Sequence, residues 1–145
     1  MSQELDCPEI HQAVDLICNA RYMIAFTGAG ISTESGIPDF RSHDSGLWQG
    51  TDPMEVASIH GFKRNPQAFY DWVRPLSCMT AQAQPNQAHY ALAEMETRGI
   101  LKSVITQNID MLHTRAGTRN IYELHGHLRQ ATCINCFAVL DGETV

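Results

Sequence analysis

Residues 22–33 have the sequence YMIAFTGAGIST, in which a short apolar run ends abruptly at a glycine. The run from Tyr22 to Thr27 is rich in strand-forming residues and predicts a buried β-strand. The tight glycine turn that follows, Gly28-Ala29-Gly30-Ile31, is expected to open a helix. A turn between a strand and a helix places backbone N–H groups where they can hold a pyrophosphate. The stretch therefore indicates an α/β fold in which this turn is a candidate nucleotide site.

The glycine turn is not a complete dinucleotide fingerprint, because Thr33 stands where a third glycine is expected. The next convincing strand, Leu101–Thr106, begins about 70 residues later, whereas a plain βαβ unit needs about 30 residues. By itself, the turn is thus compatible with a dinucleotide site or with a purely structural role. A large insertion follows it, and long irregular insertions are often functional.

Helical patterns flank and follow this turn. Residues 6–20 have Asp6 as an N-cap candidate, and Pro66 is expected to open a helix through about Cys78. Another helix is predicted from the N-cap Asn86 to Gly99 at its C-terminal end. Further strands are predicted at Leu101–Thr106, Ile121–Leu124 and Leu128–Thr132. Strands alternating with helices indicate an α/β chain with a mostly parallel sheet.

The composition limits the classes of function. With 145 residues, 43% of them hydrophobic and 18% charged, the chain fits one globular domain. A net charge of -6 offers no basic face for phosphates, so no direct nucleic-acid binding is expected. No apolar run is long enough to span a membrane, and the N-terminus MSQELDCPEI lacks the features of a secretory signal. Five cysteines in such a chain indicate reduced thiols and a cytoplasmic location. The oligomeric state is not indicated.

Several motifs occur in a fixed order along the chain. They are GAGISTESGIPDFR at residues 28–41, PNQAH at 85–89, TQNID at 106–110, ELHG at 123–126 and CINC at 133–136. Together they resemble the signature motifs of the sirtuin family, the NAD-dependent protein lysine deacylases, and the likeness extends from about residue 10 to the end. Each motif alone is weak, but a chance match of all of them in the right order is very improbable.

The resemblance implies a role for particular residues. Gly28, Ala29 and Gly30 would cradle the NAD pyrophosphate, and Phe40, on a cofactor-binding loop, would shield the reacting ribose carbon. Gln107 would contact the nicotinamide ribose. The full set of cofactor residues implied is Gly28, Ala29, Gly30, Ile31, Asp39, Phe40, Arg41, Gln107, Asn108, Ile109 and Asp110. Catalytic roles are implied for Asn108 and Asp110, which line the nicotinamide pocket, and for His125 as general base.

The chemistry implied by the resemblance suits these residue types. The acyl-lysine carbonyl oxygen is a weak nucleophile, so the ribose carbon must develop cationic character as nicotinamide leaves. Polar groups that orient the nicotinamide assist this step by positioning the leaving group. A ribose hydroxyl must then lose a proton, and a histidine with a pKa of about 6.5 suits that task. The implied partner is an acetylated lysine in a protein or peptide. The products would be nicotinamide, the deacylated lysine and an O-acyl-ADP-ribose.

Taken without the motifs, the same residues have ordinary explanations. Asn108 and Asp110 could cap a helix. An exposed pair of Asp39 and Arg41 would contribute little to stability, and His125 is one of seven histidines. The order of the motifs favours the functional interpretation for all of these. His89, by contrast, is expected to be structural, on the buried side of the helix that starts after Asn86.

Cys133 and Cys136 form a Cys-x-x-Cys pair, which is either half of a structural zinc site or a redox couple. The following residues, FAVLDGETV, predict a strand and a turn instead of the helix of a thioredoxin-like pair, which favours zinc. Structural zinc needs four ligands. In sirtuins a second cysteine pair follows the first further along the chain, beyond the position that corresponds to Val145. A metal shared by two chains is an alternative.

The predicted fold is a Rossmann-like parallel sheet, formed by about 10–36 and 100–127, with a helical insertion carrying the cofactor loop at about 37–99. A half zinc module would begin at about 128–145, so the resemblance covers the N-terminal half of a sirtuin and leaves the fold C-terminally incomplete. A free sheet edge and an exposed apolar face are then expected. The activity alternatives are a deacetylase and a module that binds NAD, ADP-ribose or a protein without turnover.

The acyl preference is predicted from one helix. Sirtuins that remove succinyl or malonyl groups have a tyrosine followed three residues later by an arginine. Here Tyr70 is followed by Val73 at that position, and Arg74 is displaced by one residue, or about 100° around a helix. This predicts acetyl-lysine or neutral longer acyl chains as substrates.

Overall fold

The structure is a computed structural model that describes residues 7–39 and 52–142. Its centre is a sheet of three parallel strands, β1 (Met23–Thr27), β2 (Leu101–Thr106) and β3 (Ile121–Glu123). β2 lies in the middle and pairs with both neighbours. Parallel strands need crossover connections, and the long insertion between β1 and β2 supplies the first of them. The predicted α/β fold with a parallel sheet is confirmed.

Seven helices are present in the described residues, and some of them begin at polar N-cap residues. They are α1 (Pro8–Asn19), a 3₁₀ helix (Ala29–Ser35), α2 (Pro53–Val56), α3 (Ile59–Arg64), α4 (Pro66–Gln82), α5 (Gln87–Thr97) and α6 (Leu112–Arg115). Asn65 caps α4 and Asn86 caps α5 through side-chain oxygens that accept backbone N–H groups. Gly99 follows α5 with φ +76°, the left-handed conformation that ends helices. Asp6 lies outside the described residues, and Cys7 occupies the N-cap position of α1.

The core is small and centres on β2. Leu101, Val104 and Leu112 are almost fully buried, and α5 packs against β2. The expectation that residues 22–27 form a buried strand is wrong for one face of β1, because Ile24 and Phe26 are 47% and 63% exposed.

The exposed face continues across the sheet. Phe26 pairs with Ile105, and Ile105 pairs with Tyr122, so the three side chains form one row. Phe26 and Tyr122 are exposed and Ile105 is half-buried. Within the described ranges, this row has no covering layer that buries it. The exposed apolar face expected from the sequence is present.

A separate antiparallel hairpin consists of β4 (Gln130–Thr132) and β5 (Val139–Asp141). Cys133 and Cys136 lie in the turn between them. Within residues 7–39 and 52–142, no helix is both long and apolar enough to cross a bilayer.

Candidate functional site

On the side where a Cβ would project, the backbone of the glycine turn after β1 is not covered by neighbouring side chains of the described residues. Gly28 is extended, with φ -136° and ψ -172°, which any residue can adopt. A Cβ placed on Gly28 would meet only the Gln107 side chain, at 3.9 Å, and one placed on Gly30 would meet no described atom within 4 Å. Among the described residues, therefore, neither packing nor backbone conformation requires these glycines. A missing side chain here gives an external group close access to the backbone.

The helix predicted after the turn is present as a 3₁₀ helix of seven residues, Ala29–Ser35. The Ile31 N–H donates to the Gly28 carbonyl over 3.1 Å. The tighter winding follows from i→i+3 hydrogen bonds. Gly36, at φ +84°, ends the helix.

The loop after β2 braces the glycine turn. The Gln107 N–H donates to the Thr27 carbonyl over 3.0 Å and so extends the pairing of β1 and β2. The Asn108 amide nitrogen (Nδ2) lies 3.1 Å from the Gly28 carbonyl oxygen and 3.2 Å from the Ser32 hydroxyl. The structure thus brings Asn108 into direct contact with the turn. This tertiary contact over 80 residues distinguishes Asn108 from an ordinary helix cap.

Asp110 is buried, with 7% exposure, in the same loop. One carboxylate oxygen accepts a hydrogen bond of 2.6 Å from the Ser32 hydroxyl, and the other accepts one of 2.9 Å from the Leu112 N–H. The bond to Leu112 reaches the first N–H of α6, but Met111 occupies the N-cap position, so Asp110 is not the helix cap considered from the sequence. The bond to Ser32 ties Asp110 to the 3₁₀ helix that follows the glycine turn.

His125 follows β3 at the edge of the sheet where Gly28 and Asn108 also lie, because the three strands are parallel. The Leu124 N–H donates to the Thr106 carbonyl over 2.9 Å, which fixes the start of this loop. His125 itself is exposed and contacts neither Asn108 nor Asp110 through a hydrogen bond among the described residues. Open α/β sheets bind ligands at this edge.

The other predicted cofactor residues are less fully described. Asp39 is half-buried, while Gln107 and Ile109 are exposed near the end of β2. Ala29 and Ile31 lie in the 3₁₀ helix. Phe40 and Arg41 are outside the described residues.

Sequence reasoning missed several polar residues that hold the turn. Ser32 is fully buried and binds both Asn108 and Asp110. The Asn86 side chain donates to the Ile31 carbonyl over 2.7 Å and to the Ser35 hydroxyl over 3.1 Å, besides capping α5. A signal for Ser32 was present in the glycine motif itself. For Asn86, the sequence pattern predicts the cap of α5 but not the contacts with Ile31 and Ser35.

Two buried histidines lie beneath the loops. The imidazoles of His89 and His113 are 4.8 Å apart between ring centroids, and the Nε2 atom of His113 is 2.9 Å from the Thr27 hydroxyl oxygen. Burial lowers the pKa of both histidines, and the negative charge of Asp110 opposes this change. For His113, burial and the neighbouring His89 together lower the pKa to about 4. The prediction that His89 is buried is confirmed. His113 was not anticipated.

The cysteine pair lies between two short strands, β4 and β5, and a strand on each side of the pair was predicted from the sequence. The N–H groups of Cys136 and Asn135 point to the Cys133 sulfur and, with the Cys136 thiol, lower the pKa of Cys133. Both thiols are free. In the part of the chain that the structure describes, no group of three or more His, Cys, Asp or Glu residues could hold a metal ion.

Arg74 remains close to Tyr70 despite its displacement by one residue. The guanidinium carbon is 5.7 Å from the centroid of the Tyr70 ring. Residues four apart lie on one face of a helix, so the shift alone does not separate the cation from the tyrosine. The argument for an absent cationic clamp is therefore incomplete, and the preference for acetyl-lysine stays a prediction.

A parallel sheet with an open glycine turn and polar loops at its carboxyl edge is a Rossmann-like arrangement, and folds of this class bind ligands at this edge. The family is settled by comparison with known proteins: the sequence model of the Sir2 family matches residues 28–145. The chain belongs to the Sir2 family, as its motifs predicted.

Individual relatives agree with this assignment. The chain is 53% identical over 133 residues to "NAD-dependent protein deacylase 2" of Archaeoglobus fulgidus, covering 92% of this chain and 52% of the relative. A solved structure of a Sir2 enzyme superposes with a TM-score of 0.85 at 52% identity, covering 94% and 53% of the two chains. A Sir2 solved with a p53 peptide and NAD+ superposes with a TM-score of 0.82 at 40% identity, covering 92% and 52%. The chain thus spans about half the length of the relatives it matches.

Proposed function

We propose that this chain carries the NAD-binding and catalytic residues of a protein lysine deacetylase, which transfers the acetyl group of acetyl-lysine to ADP-ribose and releases nicotinamide. The observation that carries the proposal is the contact of Asn108 and Asp110 with the open glycine turn. Family membership supports it, since a relative is named an NAD-dependent deacylase and another was solved with NAD+ and a peptide.

Each residue at the carboxyl edge has a role in this proposal. The open backbone at Gly28 and Gly30 would hold the pyrophosphate, and Asn108 and Asp110 would orient the nicotinamide as leaving group. NAD, when bound, supplies a ribose carbon that becomes electrophilic as nicotinamide departs. His125, exposed and free of hydrogen bonds to the described residues, would accept the proton of a ribose hydroxyl.

The remaining assignments belong to the same proposal. Ala29, Ile31, Gln107 and Ile109 would line the cofactor site, and Asp39, Phe40 and Arg41 are assigned to the same site from the resemblance of their motif. The protein substrate would present an acetylated lysine, and the reduced cysteines favour a cytoplasmic location.

A structural zinc ion is proposed for the β4–β5 hairpin. Cys133 and Cys136 would supply two of its four ligands, because a thiolate stabilised by backbone N–H groups is suited to bind metal. The other two ligands would come from outside the described residues or from a second copy of the chain.

Nicotinamide release from NAD in the presence of an acetyl-lysine peptide tests the function. We expect peptide-dependent release whose steady-state rate falls about 100-fold or more in His125→Ala, since general base catalysis contributes at least that factor and the enzyme cannot complete a turnover until the ribose hydroxyl loses its proton. His60→Ala is the matched control, because His60 is also exposed but lies in α3. An unchanged steady-state rate of release in His125→Ala would contradict the assignment of the base.

A binding module without turnover is the second candidate. Calorimetric titration with ADP-ribose separates the candidates: binding without any nicotinamide release supports the module, while binding together with release supports the enzyme.

A further inference from the structure

The backbone just before α6 adopts an unfavourable conformation. Met111 lies between Asp110 and α6 with φ +64°. The left-handed region is rarely occupied by residues other than glycine, because the side chain makes this backbone conformation unfavourable. Such a turn persists only where its surroundings hold it. Asp110 helps by accepting the Leu112 N–H, but that bond lies within the same turn.

His113 supplies the link from this turn to the rest of the molecule. It is the second residue of α6, is 1% exposed, and lies against the Thr27 hydroxyl through Nε2 at 2.9 Å. Thr27 is the last residue of β1 and directly precedes Gly28. Among the described residues, the other ring nitrogen of His113 has no hydrogen-bonding partner. The bond with Thr27 is therefore the polar anchor of this ring within the described part of the chain.

Two long-range hydrogen bonds thus bracket the glycine turn. Thr27 with His113 lies at its start, and Ser32 with Asp110 lies in the 3₁₀ helix. The His113 ring also packs edge-on against His89. All of these groups are buried, and buried hydrogen bonds lose most when one partner is removed.

We propose that His113 is a positioning residue of the candidate site. Its hydrogen bond with Thr27 fixes α6, and thereby Asp110, relative to the Gly28–Gly30 backbone. The consequence for ligand binding rests on the proposed function, since it requires that this turn binds the nucleotide. The consequence for the order of the turn applies to the free protein as well.

Paired variants at both ends of the bond test the proposal through the affinity for ADP-ribose. His113→Leu and Thr27→Val remove the bond while keeping most of the volume, and we expect each to weaken binding about 10-fold. His113→Gln and Thr27→Ser retain polar partners and are expected to stay within about 3-fold of wild type. The combined variant His113→Leu/Thr27→Val should bind no more weakly than either single variant, because both remove one interaction. Fully additive losses would overturn the proposal.

Thr118→Val is the matched control for core packing. Thr118 is buried shortly after α6, and its hydroxyl has no hydrogen-bonding partner among the described residues. The variant changes the same region without touching the link to Thr27, so its affinity for ADP-ribose should equal that of wild type. An equal loss in Thr118→Val and His113→Leu would assign the effect to packing and overturn the positioning role.

Amide hydrogen exchange gives a readout that needs no ligand. The Ile31 N–H donates to Gly28 within the turn, whereas the Val104 N–H donates to Asn120 in the central strand. In His113→Leu we expect faster exchange at Ile31 and unchanged exchange at Val104. If wild type fails to bind ADP-ribose while Ile31 still responds, the proposed function fails and the positioning role stands. Unchanged exchange at Ile31 overturns the positioning role.

Discussion

The Ser32 hydroxyl donates a hydrogen bond of 2.6 Å to the Asp110 carboxylate, although 78 residues separate the two in sequence. Both side chains are buried, and the bond joins the 3₁₀ helix after β1 to the loop after β2. The glycine turn and the Asn-Ile-Asp loop are therefore one unit of structure, held by charge-assisted bonding in addition to the sheet.

Replacing Ser32 by alanine should destabilise the protein by about 1–3 kcal/mol, because a buried carboxylate oxygen loses its partner. Urea unfolding measures this free energy. Thr33→Ala serves as control, since the Thr33 hydroxyl bonds to Gly30 on an exposed surface. Equal stability of Ser32→Ala and wild type would show that the bond does not contribute.

Asn108→Asp should weaken ADP-ribose binding about 10-fold or more. The substitution keeps the shape but removes the donor to Gly28 and places a like charge in the loop of Asp110. Asn120→Asp makes the same change where Asn120 is exposed and bonds to the Lys102 carbonyl, so its affinity should not change. Calorimetric titration measures both. Identical affinities for Asn108→Asp and wild type would remove Asn108 from the site.

Stability should fall on mild acidification. The pKa of His113 is about 4 in the folded protein against an ordinary value of 6.5, so the unfolded chain binds more protons between these values. The contribution of the neutral His113 to the free energy of unfolding is fully present above about pH 6.5. As the pH falls toward 4 this contribution is lost, and the free energy of unfolding decreases by roughly 3 kcal/mol in all. The lowered pKa of His89 acts in the same direction.

Urea unfolding at about pH 7.5 and pH 5 measures this loss. His113→Gln cannot titrate, so its free energy of unfolding should depend less on pH over this range. A wild-type profile as flat as that of the variant would contradict the lowered pKa.

Zinc bound to the hairpin should disappear in Cys133→Ser, since zinc binds the thiolate. Metal analysis of protein refolded with zinc gives the ratio of zinc to chain. Cys18→Ser is the control, because Cys18 is an exposed free thiol in α1. About one zinc per two chains would support a metal shared between copies, and no zinc in wild type would refute the site in this chain.

The exposed apolar row should promote self-association. Phe26→Thr keeps a strand-forming residue and removes apolar surface at a position that is 63% exposed, so it should reduce binding of a hydrophobic dye and lower the apparent mass in sedimentation. Leu101→Thr is the buried comparison and should instead unfold the protein or cost about 2 kcal/mol or more. Unchanged association in Phe26→Thr would show that this face is not involved.

The sequence alone determined the local elements and the family. Apolar runs bounded by glycine and proline, together with the Asn86 cap, predicted β1, β2 and α5 closely, because such signals act within a few residues. The ordered motifs identified the Sir2 family and placed Asn108, Asp110 and His125 in one candidate site.

Only the tertiary structure decided which polar groups hold that site together. The partners of Asp110 and His113 are Ser32 and Thr27, which lie 78 and 86 residues away in sequence. No periodicity encodes such pairs, because they depend on the register of parallel strands and on which loops meet at the edge of the sheet. Burial is likewise a property of packing. Phe26 lies in an apolar run typical of a core strand, yet its side chain is exposed, whereas the polar His113 is buried in the core.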